Sequence, residues 1–407
     1  MKFLPYQPEQ GYLLPPNVRE VLGENHLCFF LHRVVERLDL RAMEAVYGEQ
    51  GQRPYPPVMM VKVWLYAYAL GITSSRRLEQ RVKEDLPLRY LAGCNAPDYW
   101  TLNDFRRRQR RALNDVFTQV VELAREMGLG SLGHVAVDTT RVAANAARHR
   151  VDTENKLREE RAQIRRRIRH WQQACDRTDP DEAPGMEVSA QAVAALQERL
   201  EEIPSRLKQL KKSGQRQLSR TDPESRFLKQ GRTFVLGYTV ATATTEDHLI
   251  VEQRVGRQSS DNELLLPVIE AVKERCREWP EKVSGDSGFY SDANLEKLEA
   301  RGIDGYVPDP YQARDINLGV RTPPRHWQHP AHQRMVNKLG TPAGRAVYAR
   351  RKGMAEPVFG VLKQQRGLRQ FRLRGLAKVA AEVALATTAF NLTRMWRREQ
   401  QASSIKR

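Results

Sequence analysis

The sequence predicts an α/β protein: a mixed sheet, a helical N-terminal domain before it, and a helical hairpin inserted into it. Three observations carry this. Residues 1–130 place apolar side chains at mainly helical spacing. From Gly133 onward, short runs rich in Val, Ile, Thr and Tyr alternate with helical segments. Between the first and second of those runs, residues 152–215 carry heptad-like apolar steps that mark a pair of long helices.

In order, Asn25–Leu40, Pro57–Leu70, Ser74–Glu84 and Leu102–Met127 read as helices. Turns fall at Arg53–Pro57, Gly71–Ser75 and Gly93–Pro97, where Gly and Pro punctuate the pattern. Five arginines, Arg106, Arg107, Arg108, Arg110 and Arg111, crowd barely two turns of the fourth helix with few acids on the same face. Such a helix suits a DNA backbone or groove, with Arg106, Arg107 and Arg110 as contacts; a solvated charged face is the alternative. His134–Thr140 is a short strand with Asp138 near its end, and Arg141–Ala147 continues as a second short strand or turn.

In the inserted hairpin, Leu157, Ile164, Ile168, Trp171 and Cys175 line one helix. Val193, Leu196, Leu200, Ile203, Leu207 and Leu210 line the other, with Asp176–Gly185 connecting them. Pro204 is expected to kink or restart the second helix. The six arginines of Arg158–Arg169 form either a DNA-touching or a solvated face. Thr233–Thr244 and His248–Val255 then make an antiparallel pair, followed by a helix over Glu263–Glu278 capped by Asp261 or Asn262. Lys282–Asp286 is a short strand, Tyr290–Arg301 a helix and Gly302–Val307 a strand. An irregular, proline-rich stretch, Pro308–Pro342, leads to the helix carrying Glu356, and a last helix spans Leu376–Arg398. The expected division is 1–130 helical and DNA-binding, 131–151 with 216–375 catalytic, 152–215 inserted hairpin, and 376–407 a C-terminal helix and basic tail.

Composition narrows the partners. With 407 residues the chain has length for two or three domains and a sizeable core. A net charge of +18 and a pI of about 9.9 favour a polyanion, which DNA, ribosomes and anionic membranes all offer. Cys28, Cys94, Cys175 and Cys276 are far apart, which argues against a zinc finger and a disulfide framework and fits a reducing cytoplasm. Met1–Pro5 lacks a signal-peptide core. The most apolar run, Val58–Ile72, is short and contains Lys62, so no membrane partner is expected.

The chemistry concentrates in carboxylates. Between Arg345 and Lys378 lie ten Lys or Arg residues and one acid, Glu356. That acid either offsets its neighbours on a helix surface or holds a divalent metal against a phosphodiester. Asp138 on the first strand and Asp286 on the fourth could converge on it. Asp138 and Asp286 could equally be turn acids, and Asp292, Asp304 and Asp309 rival Asp286. Three carboxylates can hold two Mg²⁺ ions about 4 Å apart, one activating water or a 3′-hydroxyl and one stabilising the leaving oxygen.

The chain resembles bacterial insertion-sequence transposases of the DDE type, which have an RNase H-like catalytic domain. The resemblance rests on Tyr55-Pro56-Pro57, Gly71–Leu78, Val137–Thr140, Gly285–Tyr290 and Glu356–Lys363. It implies that Asp138, Asp286 and Glu356 bind two Mg²⁺ ions, with Mn²⁺ able to substitute. It also implies that Tyr348, Arg351 and Lys363 contact DNA phosphates near the cleaved end. The implied activity is cleavage and strand transfer at the terminal inverted repeats of its own element, into target DNA, by a homodimer in the bacterial cytoplasm at the nucleoid. The family signature Y-x2-R-x3-E-x6-K is met with one departure, four residues between Arg351 and Glu356. Two other readings are a domesticated DNA-binding protein without activity and a nuclease without strand transfer.

Overall fold

A computed structural model describes residues 18–47, 53–175, 186–320 and 329–405. Met1–Pro5, the Asp176–Gly185 connection and the middle of Pro308–Pro342 (321–328) lie outside the described residues. The chain forms two compact units, Met1–Val142 with Tyr238–Arg407, and Ala143–Gly237.

The first unit opens with α1 (Val18–Leu22), α2 (Leu27–Glu36), α3 (Arg41–Glu44), α4 (Pro57–Ala69), α5 (Ser75–Glu84) and α6 (Leu86–Leu91). Then come α7 (Tyr99–Arg108) and α8 (Arg110–Glu126). The single helix expected over Leu102–Met127 is therefore two. They part at Gln109, whose backbone leaves helical geometry (ψ 18°) and whose buried Nε2 donates to Met43 O at 3.0 Å. In α8, Ala112, Leu113, Val116, Phe117, Val120, Val121 and Ala124 form one buried stripe.

Strand β1 (His134–Ala143) runs on through the turn expected after Thr140. The short strands β2 (Val151–Asp152) and β3 (Leu218–Ser219) pair antiparallel in the second unit. There β4 (Arg226–Gln230) also pairs with the first residues of β5 (Thr233–Thr245). Helices α9 (Glu154–Cys175) and α10 (Met186–Ser213) are the hairpin, packed through Leu157, Ile164, Ile168, Val193 and Ile203. Helix α10 continues through Pro204 rather than restarting there.

In the first unit β5 pairs antiparallel with β6 (Ile250–Gly256), and the sheet order is β6-β5-β1-β7-β8. Strands β7 (Lys282–Ser284) and β8 (Asp304–Tyr306) run parallel to β1 and to each other. Helix α11 (Asn262–Cys276) links β6 to β7, and α12 (Asp292–Ala300) lies between β7 and β8. The stretch expected to be irregular instead contains α13 (Pro310–Leu318) and α14 (Pro330–Gly340), and α15 (Pro342–Gly360) begins on its last proline. The reason is local: Pro310, Pro330 and Pro342 each stand at the first helical turn, where the missing N–H costs nothing and φ is preset. Helix α16 (Leu376–Ile405) packs on α4, α8 and β6, burying Val379, Val383, Leu385, Phe390 and Met395. It is part of the first unit's core. Among the described residues no helix is long and apolar enough to cross a membrane.

Candidate active site

Two aspartates meet where the sheet's connectivity reverses. β1 and β7 are in register from His134↔Lys282 to Ala136↔Ser284, so Asp138 and Asp286 stand at equivalent positions past the last pair. Carboxyl ends of adjacent parallel strands at such a reversal are where α/β folds place their sites. Asp138 accepts from Thr139 N at 2.8 Å, and Asp286 caps a short 3₁₀ turn by accepting from Gly288 N at 3.0 Å.

Both carboxyls titrate high. Burial and then the facing Asp286 push Asp138 up to about 6, against the Thr139 N–H and Arg351. Burial also raises Asp286, with Arg351 opposing. Two half-buried carboxylates that repel each other favour a proton or a cation between them.

A third acid, Asp261, adds to the repulsion on both aspartates. The sequence placed it as the cap of the following helix. It does occupy the N-cap position of α11, but its side chain makes no capping bond and pairs instead with Arg141 at 2.8 Å. Glycine at 288 makes room for this crowding, since a Cβ there would lie 3.0 Å from Asp286 Oδ1 and 3.3 Å from Asp261 Oδ2.

On α15, Arg351 is buried and acts on both aspartates, with its guanidinium 5.7 Å from the centre of the Tyr348 ring. Burial raises the Tyr348 phenol and Arg351 offsets part of that. The Arg351 Nε has no hydrogen-bond partner. One turn further along that face is Ala355, packed on Ala136 and Met354. Glu356 is exposed, about 140° around the helix from Arg351 at 100° per residue. Among the described residues no three His, Cys, Asp or Glu side chains are gathered to hold a metal. The structure therefore brings together Asp138, Asp286, Arg351 and Tyr348, and does not bring Glu356 to them.

Lys363 lies in a π-helical turn, Val361–Gln365, and donates to Thr140 Oγ1 at 2.7 Å and Arg141 O at 3.0 Å. It is thus tied to β1 just beyond Asp138, where burial lowers its pKa. Arg107 and Arg110 are exposed, as a DNA contact requires. Arg106 must be corrected: it is 1 % exposed, donates to Tyr68 Oη and Thr73 O at 3.0 Å, and lies 3.9 Å over the Trp64 ring. It belongs to the helical core and offers nothing to DNA.

The mixed sheet and its connectivity define the RNase H-like class. Two family comparisons go further. Residues 16–108 match the family described as Transposase domain (DUF772), and residues 204–392 match the Transposase DDE domain. The chain belongs to the DDE transposases of insertion sequences, enzymes that act on DNA. No curated protein and no solved structure matched it.

Proposed function

We propose that this transposase cuts DNA at the ends of its own insertion sequence and joins the freed 3′ ends to target DNA. The observation that carries the reading is the register-matched pair Asp138 and Asp286, half-buried and mutually repelling, with Arg351 beside them. Hard oxygen donors that repel each other fit a divalent cation, and Mg²⁺, or Mn²⁺ in its place, suits them. When bound, such ions supply water or 3′-hydroxyl activation and stabilisation of the leaving oxygen.

The chain's own residues do the rest. Arg351, with Tyr348 behind it, offers positive charge where a phosphodiester oxygen would sit, and its free Nε is a donor in reserve. Lys363 holds the end of α15 to β1. Glu356 is the proposed third ligand. Pro357 leaves the Gly353 carbonyl without its helical donor, and the π turn begins four residues later, so the helix around Glu356 is weakly constrained. That weakness supports a reorientation of Glu356 when metal and DNA arrive. Arg107 and Arg110, with the other exposed basic residues, would dominate affinity and make it steeply salt-dependent. Synapsis of two ends calls for a homodimer on DNA, working in the cytoplasm at the nucleoid.

The exposed position of Glu356 is the one observation that favours a second reading, a DNA-binding protein without the chemistry. Labelled element ends incubated with a target plasmid and Mg²⁺ separate the readings. Joined products support transposition, cut ends alone indicate a nuclease, and retarded but intact DNA indicates binding only.

A further inference from the structure

Away from the aspartates, the first unit has a cavity of about 360 Å³ between the end of α4, the turn around His248, the end of α15 and α16. Three arginines line it, Arg366, Arg394 and Arg397, and no acid is among its lining residues. Arg366 is only 6 % exposed and directs Nη2 to Thr393 Oγ1 at 2.7 Å, while its Nη1 has no partner. Arg394 donates to the backbone oxygen of Asp247 at 2.8 Å. The Asp247 carboxylate itself accepts from Gly130 N at 2.7 Å and from the Thr245 hydroxyl. Among the described residues none of the three guanidiniums is ion-paired. Burial and Arg397 both disfavour the charge on Arg366 and on Arg394.

We propose that this pocket is a phosphate site that grips one phosphodiester of the DNA, outside the catalytic centre. Like charges gathered around a buried, unpartnered guanidinium N–H call for an anion, and arginine forks match phosphate oxygens. Leu70, Val361 and Phe390 give the pocket an apolar side, beside the polar His248, Gln365 and Thr393, and that side suits the sugar next to a gripped phosphate better than a bare hydrated ion. The pocket adjoins the catalytic helix: Pro357 and Val358 line it, and His248 Nδ1 lies 3.3 Å from Met354 O. A strand held here is therefore registered against α15. Close packing keeps that geometry, since Gly71 (φ +75°) lets Gln365 O approach to where a Cβ would be 3.0 Å away. The proposal rests on the chain acting on DNA and not on which acids bind metal.

The test is DNA binding by the full-length chain in EDTA, which is blind to catalysis by the aspartates. Fluorescence anisotropy on a labelled duplex between about 50 and 200 mM salt gives the slope of log K against log salt. Arg397→Gln, at an exposed position, should lower the slope by about one and weaken binding several-fold without moving Tm. Arg366→Gln should do the same, and its Tm reports whether it folds. In parallel, inorganic phosphate alone should raise the Tm of the wild type more than that of Arg397→Gln. Unchanged slopes with a retained phosphate effect would show a site for free phosphate and overturn the assignment to DNA. No change in either readout overturns the site altogether.

Discussion

Asp138 and Asp286 occupy the same register position on neighbouring parallel strands, each two residues past the last paired couple, Ala136↔Ser284. The sheet sets them side by side, and the Asp286 carboxylate raises the cost of ionising Asp138. The pair proposed to hold a cation is thus positioned by the pairing of β1 with β7.

Removing either charge should stop the chemistry and spare binding. Asp138→Asn and Asp286→Asn are each expected to lower end cleavage in Mg²⁺ by about a hundredfold or more, with DNA affinity changed little. Cleavage gels beside gel-shift assays check this, and full cleavage by either variant would remove that aspartate from the site. Glu356→Gln should also lose cleavage if the glutamate completes the set.

Stability of the metal-free protein should carry the imprint of Asp138. Its pKa is raised from 3.8 to about 6, so the folded state binds a proton more tightly than the unfolded chain. Stability from this group is therefore present at pH below about 4 and is lost as pH rises through about 6, roughly 3 kcal/mol in all. Asp138→Asn should be more stable than wild type at pH 7 in EDTA, and the advantage should vanish near pH 4. Thermal melts across that range settle it, and Mg²⁺ should narrow the gap at pH 7.

Neighbouring arginines should behave in opposite ways. Arg106→Ala removes a buried guanidinium that donates to Tyr68 Oη and Thr73 O, and leaving such buried acceptors unpaired costs about 1–3 kcal/mol each. Arg107→Ala should leave Tm unchanged and weaken DNA binding with a shallower salt slope. Paired melts and anisotropy titrations distinguish a core arginine from a DNA contact.

Crowding at Gly288 makes a further prediction. A methyl there would press on the carboxylates of Asp286 and Asp261, so Gly288→Ala should displace them. Cleavage is expected to fall about tenfold to a hundredfold with the fold intact, because small misplacements of reacting groups are expensive. Cleavage rates together with near-UV circular dichroism test it.

Much was legible from local pattern. The alternation of strand and helix and the inserted hairpin follow from periodicity and β-branched runs, which report how a segment buries its own side chains. What spacing could not settle is helical phase. On α15 the buried stripe runs through Tyr348, Met354, Ala355, Val358 and Phe359 but is broken by the charged Arg351, so apolar spacing by itself did not show which charges meet the aspartates. Packing of Ala355 on Ala136 decided it, placing Arg351 at the aspartates and Glu356 in solvent. The same holds for Arg106, whose burial under Trp64 and Tyr68 depends on helices far apart in sequence. Asp261 looked like a helix cap until Arg141, 120 residues away, claimed its carboxylate. Local sequence determined the elements and the acids they carry. Long-range packing alone decided which charges meet, because burial and pairing energies belong to contacts that spacing does not encode.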